Sequence, residues 1–256
     1  MNLKPQTSNL KRLFGLIGFP LSHSFSQKYF TEKFKKENIA DCEFKNFSLE
    51  NIQELPTLLK NNSSLCGLSV TIPHKQSVIK FLNSVDDTAK KISAVNCIRV
   101  NDMKGFNTDI VGFKKSLFPL LKSHHTHALI LGTGGASKAV AYILDESKIQ
   151  YKYVSRNTKN DDVVIYSSLT KENIFESTLI INTTPLGMFP NVNDCPKIPY
   201  EFISSRHLLY DLTYNPEESL FLKMGKEKGA QIKNGLEMLQ LQADEAWRIW
   251  NEAPNP

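Results

Sequence analysis

Lys75 closes the stretch Ser69-Val70-Thr71-Ile72-Pro73-His74-Lys75. It stands just after a short apolar run, where a loop leaves a strand and its ammonium can point into a cleft. A carboxylate follows at Asp109, in the turn-like stretch Asn107-Thr108-Asp109. A lysine and an aspartate held together can relay a proton to a hydroxyl or carbonyl, because each charge holds the other's pKa in a usable range. Taken alone, the two residues read equally well as a surface ion pair.

A second chemical signal is a glycine turn. Ala128-Leu129-Ile130-Leu131 is a short apolar strand, Gly132-Thr133-Gly134-Gly135 turns the chain, and Ala136, Ala139, Val140, Ile143 and Leu144 repeat at helical spacing. Glycines let the backbone approach a pyrophosphate, and the helix N-terminus behind them offers free N–H groups and a positive dipole end. The spacing is GxGG rather than GxGxxG, so a tight structural turn is the alternative. The next strand, Tyr151 to Val154, runs into Ser155-Arg156-Asn157. An acidic residue here would take a ribose 2′-hydroxyl, whereas an arginine suits a 2′-phosphate. The expected cofactor is therefore NADP rather than NAD. Lys159 adds charge nearby, offset by Asp161 and Asp162.

These residues need elements to hold them. Apolar runs at 13–18, 43–47 and 67–72 read as strands, with a helix over 27–37 between the first two. A second alternating block opens near residue 106 and adds strands at 179–182 and 208–211, followed by the loops Thr183 to Met188 and Leu212 to Pro216. Alternation of this kind builds a mostly parallel sheet covered by helices, so the fold class is α/β with two domains. Ligands of such sheets bind over the carboxyl ends of the strands. The segment Leu236 to Trp250 is a helix former with apolar residues on most faces and should be buried.

At 256 residues and 41% hydrophobic, the chain is long enough for two modest domains. No stretch approaches the roughly 18 apolar residues of a membrane span, and residues 1–6 lack the apolar core of a secretory signal. A soluble cytoplasmic protein is expected, with no membrane partner. Cys42, Cys66, Cys97 and Cys195 form no CxxC pair and read as reduced thiols. The net charge of +5 favours anionic ligands, but the lysines are scattered and no nucleic-acid module is evident. His124, His125 and His127 read as solvated loop histidines, and no metal is expected.

Seven motifs occur in order: Pro20-Leu21-Ser22-His23-Ser24-Phe25-Ser26, Val70 to Lys75, Ala94-Val95-Asn96, Asn107 to Gly112, Leu131 to Ala136, Asn182 to Met188, and Asn234-Gly235-Leu236-Glu237-Met238-Leu239. In order and spacing the chain resembles the shikimate dehydrogenase family from near residue 13 to 250. The resemblance implies reversible NADPH-dependent reduction of 3-dehydroshikimate to shikimate, a step toward chorismate and the aromatic amino acids. It implies a substrate-binding, catalytic domain over 1–105, completed by helices in 236–256, and a Rossmann-like NADP-binding domain over 106–235. The active site would lie in the cleft between them, in a monomer or homodimer.

Carried over by motif, the catalytic residues are Lys75 and Asp109. The substrate residues are Ser24, Ser26, Thr71, Lys75, Asn96, Asp109, Tyr214 and Gln242. The cofactor residues are Gly132, Thr133, Gly134, Gly135, Ala136, Ser155, Arg156, Asn157, Thr183, Leu212 and Gly235. The chemistry agrees, since a polyhydroxylated carboxylate needs many short hydrogen-bonding groups. Ser24 and Ser26 point the same way if their segment is extended, and are assigned to the substrate carboxylate. Two departures stand out. Gln27 follows Ser26 where a proline is common, and the usual helix with basic residues after Arg156 is replaced by a stretch ending Val163-Val164-Ile165. The rival readings are an NAD-preferring quinate/shikimate dehydrogenase, which Arg156 counts against, and a nucleotide sensor, which has no need of Lys75 and Asp109.

Overall fold

A computed structural model describes residues 11–21, 25–157 and 163–253. The chain divides into two compact units, Met1–Thr108 with Ala243–Pro256, and Asp109–Gln242.

The first unit contains β1 (Arg12–Gly18), α1 (Phe25–Lys36), β2 (Cys42–Ser48), α2 (Leu55–Asn61), β3 (Leu65–Val70), β4 (Ser84–Val85), α3 (Asp87–Ile92), β5 (Cys97–Arg99) and β6 (Lys104–Phe106). Its sheet runs β2-β1-β3-β5-β6-β4. β1 lies parallel to β2 and β3, as the alternation of strand and helix predicts. β5 departs from that expectation by pairing antiparallel with both β3 and β6. For β5 and β6 the reason is length: only residues 100–103 join them, and a parallel crossover needs a dozen or more. Along β1, Leu13 and Ile17 face a core with Leu55, Leu68 and Ile98. The alternate residues Phe14 and Leu16 face a second core with Phe30, Phe34, Phe44 and Trp250. Burial on both faces is why the strand reads as an unbroken apolar run.

The second unit contains α4 (Asp109–Leu117), β7 (His127–Leu131), α5 (Gly135–Glu146), β8 (Gln150–Ser155), β9 (Val163–Ile165), α6 (Lys171–Glu176), β10 (Leu179–Asn182), β11 (Leu208–Asp211), α7 (Leu220–Glu227) and β12 (Gln231–Lys233). The last helix, α8 (Leu236–Asn251), begins in this unit and ends in the first. The sheet order is β12-β11-β10-β7-β8-β9, and every registered pair is parallel. From β9 the strands run third, second, first, fourth, fifth, sixth, the doubly wound dinucleotide order whose crevice opens where the winding reverses, between β7 and β10.

Trp250 anchors the end of α8 in the first unit. A Cβ at Gly67 would lie 2.4 Å from its ring, so only glycine lets β3 approach this closely. The ring stacks on Phe14 at 5.2 Å, and its Nε1–H donates to the Ile98 carbonyl at 3.0 Å.

Among the described residues no helix is long and apolar enough to cross a membrane, and no three His, Cys, Asp or Glu side chains group as metal ligands. One expectation is corrected here. His125 is buried rather than solvated, its Nδ1 in a 3.1 Å hydrogen bond with Thr178 Oγ1. Burial and the neighbouring His124 and Lys122 push its pKa down to about 4, so the ring stays neutral.

Candidate active site

At the carboxyl end of the first unit's sheet, β3 gives way to a turn that carries Lys75. The Thr71 N–H donates to the Ile17 carbonyl at 2.9 Å and the His74 N–H to the Thr71 carbonyl at 2.9 Å. His74 is buried, its Nε2 2.7 Å from the Leu49 carbonyl, and so serves as a structural peg just before the lysine. The Val95 N–H donates to the Lys75 carbonyl at 2.7 Å, which ties the lysine to the segment leading into Asn96.

Asn96 is tied to the same neighbourhood. Its Oδ1 accepts from the Thr108 N–H at 2.7 Å and its Nδ2 donates to Thr108 Oγ1 at 3.0 Å. Asn107 Nδ2 donates to the Ala94 carbonyl at 2.9 Å, while its buried Oδ1 has no hydrogen-bond partner among the described residues. These bonds fix the backbone immediately before Asp109, the first residue of α4 and itself buried. Thr71, Lys75 and Asn96 are thus brought together within the first unit. Thr108 and Asn107 lay inside a quoted motif, but nothing in their spacing distinguished pegs from ligands.

Ser24 lies outside the described residues. Ser26 is the second residue of α1 and is buried, so the backbone at Ser26 is helical rather than extended. Tyr214 is half-buried, and burial raises its hydroxyl pKa. Gln242 is buried on α8, its Nε2 donating to the Leu239 carbonyl at 2.9 Å.

In the second unit, the glycine turn sits between β7 and α5. Gly132 has φ +106°, a conformation that disfavours any side chain, and a Cβ there would come within 2.9 Å of Thr183 Oγ1. Over Gly134 and Gly135, by contrast, a Cβ would meet none of the described residues within 4 Å. The N-cap position, Gly134, offers no capping side chain to the first N–H groups of α5. Glycines with open space above them at a helix N-terminus are what a pyrophosphate requires, and the NADP residues expected there fit that group. Ser155 ends β8, and Arg156 and Asn157 follow it exposed. The buried Tyr166 hydroxyl has no hydrogen-bond partner among the described residues; burial raises its pKa to about 12 against the pull of Arg156.

Thr183 and Leu212 leave adjacent strands. The Thr183 N–H and Oγ1–H both donate to the Leu131 carbonyl, at 2.9 and 2.7 Å. The Gly235 N–H donates to the Thr213 carbonyl at 3.0 Å, and a Cβ at Gly235 would lie 2.2 Å from the Leu212 carbonyl oxygen. Gly132 with Thr183, and Leu212 with Gly235, are therefore in direct contact.

Beneath them lies a group that sequence reasoning missed. Asp211 is completely buried and accepts from Asn182 Nδ2 at 3.0 Å, from the Thr213 N–H at 2.9 Å, and from the Ser219 hydroxyl. Burial lifts its carboxyl pKa to about 6 against the opposing effect of these donors. A carboxyl raised in the fold stabilises below its ordinary range near 4, and that contribution is lost as pH rises through about 6. The shift corresponds to about 3 kcal/mol. Asp211→Asn is expected to gain thermal stability relative to wild type between pH 5 and pH 8. Melting curves that keep a constant separation over this range would contradict the raised pKa.

Residues 16–98 match the family described as the shikimate dehydrogenase substrate binding domain. A shikimate dehydrogenase (NADP(+)) of Clostridium beijerinckii is 39% identical, over 93% of this chain and 92% of that protein. One from Methanosphaera stadtmanae is 35% identical, over 92% and 90%. Among solved structures, a shikimate 5-dehydrogenase of Thermus thermophilus in complex with NADP(H) and shikimate is 28% identical. It superposes with a TM-score of 0.82 over 95% of each chain.

Proposed function

The chain belongs to the shikimate dehydrogenase family, and we propose that it catalyses the reversible NADPH-dependent reduction of 3-dehydroshikimate to shikimate. The observation that supports this is the backbone bonding of the Lys75 turn to the Asn96 segment and the bonding of Asn96 to Thr108, which holds a lysine residue and short hydrogen-bonding residues at one strand end. Lys75 protonates the carbonyl oxygen as it becomes the hydroxyl, and takes the proton back in the oxidative direction. Asp109 accepts a hydrogen bond from the reacting hydroxyl or its neighbour. Ser24, Ser26, Thr71, Asn96, Tyr214 and Gln242 bind the carboxylate and remaining hydroxyls. Residues 1–105, completed by 236–256, form the substrate domain, and the family match over 16–98 supports that assignment.

Gly132, Thr133, Gly134, Gly135 and Ala136 receive the pyrophosphate, while Thr183, Leu212 and Gly235 border the nicotinamide half. Ser155, Arg156 and Asn157 hold the adenosine end. The hydride comes from the nicotinamide of bound NADPH. The enzyme works in the cytoplasm as a monomer or homodimer.

The test is to follow nicotinamide absorbance with purified protein, shikimate, and NADP or NAD at basic pH. Turnover that favours NADP supports the proposal; a folded protein inactive with both cofactors refutes it. Arg156 carries the cofactor choice, because its guanidinium can pair with a 2′-phosphate that NAD lacks. Arg156→Ala is expected to raise KM for NADP about 10- to 100-fold, the loss of one or two charge-assisted bonds. KM for NAD should stay within about twofold of wild type, because no charge-assisted bond is lost there. An equal effect on both cofactors would remove Arg156 from this role.

A further inference from the structure

We propose that Asn182 and Asp211 are a positioning pair that sets the loops bearing Thr183 and Leu212 against the nicotinamide half of NADP(H), without either side chain touching the cofactor. The inference rests on the assignment of Thr183 and Leu212 to that half.

Asn182 and Asp211 are the last residues of β10 and β11 and stand opposite each other in register. Both are completely buried. Each loop that departs from these strands is held by the residue at its root. Asn182 Oδ1 accepts from the Thr184 N–H at 3.0 Å and from the Thr184 hydroxyl at 2.6 Å. Asp211 Oδ1 accepts from the Thr213 N–H at 2.9 Å, and Oδ2 accepts from the Ser219 hydroxyl, which in turn caps α7. The Asn182 Nδ2 to Asp211 Oδ1 bond joins the two halves. Thr183 lies between Asn182 and Thr184, and Leu212 lies between Asp211 and Thr213. Both residues assigned to the cofactor are therefore bracketed by bonds that converge on one amide and one carboxylate.

A purely architectural role does not call for this chemistry. Two parallel strands are held by their own ladder, and a buried carboxylate is disfavoured relative to an amide or apolar side chain. Its carboxyl is also held with a raised pKa, so the ionised form works against the fold at neutral pH. A group retained against stability at the switch-point end of a sheet is what an orienting function produces.

The test combines fluorescence titration of NADPH, which needs no turnover, with steady-state kinetics and melting curves. Asp211→Asn keeps the shape and removes the charge. It is expected to weaken NADPH binding and raise KM for NADP about tenfold, the scale of one lost charge-assisted bond. KM for shikimate should stay within about twofold of wild type, and melting at pH 8 should be no lower than wild type, because the substitution also removes a buried charge. Thr184→Val removes the hydroxyl that donates to Asn182 while keeping the side-chain shape. It should weaken NADPH in the same direction by about threefold, the lower end for a neutral bond, and it decides the matter if the aspartate variant does not fold. Unchanged NADPH affinity in a folded variant overturns the pair's role. So does a parallel loss for both substrates with lowered melting, the mark of a damaged scaffold. Failure of the wild-type protein itself to bind NADPH refutes the underlying site assignment instead, and the pair's role with it.

Discussion

Lys75→Ala is expected to lower NADP-dependent oxidation of shikimate by about 10²- to 10⁴-fold, the range for loss of a positioned general acid–base. NADPH binding should survive, because the glycine turn, Arg156, Thr183 and Leu212 all belong to the other unit of the chain. Lys75→Arg separates proton transfer from charge. A guanidinium stays protonated at any working pH and cannot accept the proton that leaves the hydroxyl, so this variant should be almost as impaired as alanine. If arginine restored most of the rate, Lys75 would be acting through its charge alone. A folded Lys75→Ala enzyme within about tenfold of wild type would remove the lysine from the chemistry altogether.

The largest expected effect on stability is at Trp250. Trp250→Ala should cost about 3–5 kcal/mol, as for other buried large-to-small changes. Three losses coincide there. The ring fills the space that glycine at position 67 leaves open, it stacks on Phe14, and it satisfies the Ile98 carbonyl through Nε1–H. The neighbours cannot collapse inward easily, because Phe30 and Phe44 already stack at 4.6 Å on the same core. Urea denaturation followed by circular dichroism measures the effect as a shift in midpoint at constant slope. Trp250→Phe should recover most of the packing and leave mainly the carbonyl unpaired, about 1–3 kcal/mol. An unchanged midpoint for the alanine variant would mean that α8 does not complete this core.

Much of the framework was legible in the chain, and the reason is visible in particular strands. β10 and β11 fall on the residues expected, Leu179–Asn182 and Leu208–Asp211, because strands buried on both faces are short apolar runs bounded by polar loops. The same rule predicts β1 to within a residue. β5 and β6 were not foreseen: each is three residues long, and strands that short carry no period. Periodicity also names a strand without naming its partner, which is why the antiparallel pairing of β5 escaped a reading based on alternation. At Ser26 the backbone is helical, because α1 begins one residue earlier, and an offset of two residues sets a shared face only in extended backbone. The pair Asn182 and Asp211 stood in plain view as strand ends. Only register turned two polar termini into one network, and register depends on contacts distant in sequence.

The shared helix α8 bears on how the protein is made. The first unit is discontinuous: its core contains Phe14 and Phe30 from the start of the chain and Trp250 from near its end. The second unit is one uninterrupted stretch, Asp109–Gln242. Translation runs from the N-terminus, and a core held together by distant contacts waits for the last of them. The half synthesised first is therefore finished last. Its aromatic surface stays exposed while the nucleotide-binding half folds ahead of it, and this interval is when the nascent chain is most open to aggregation.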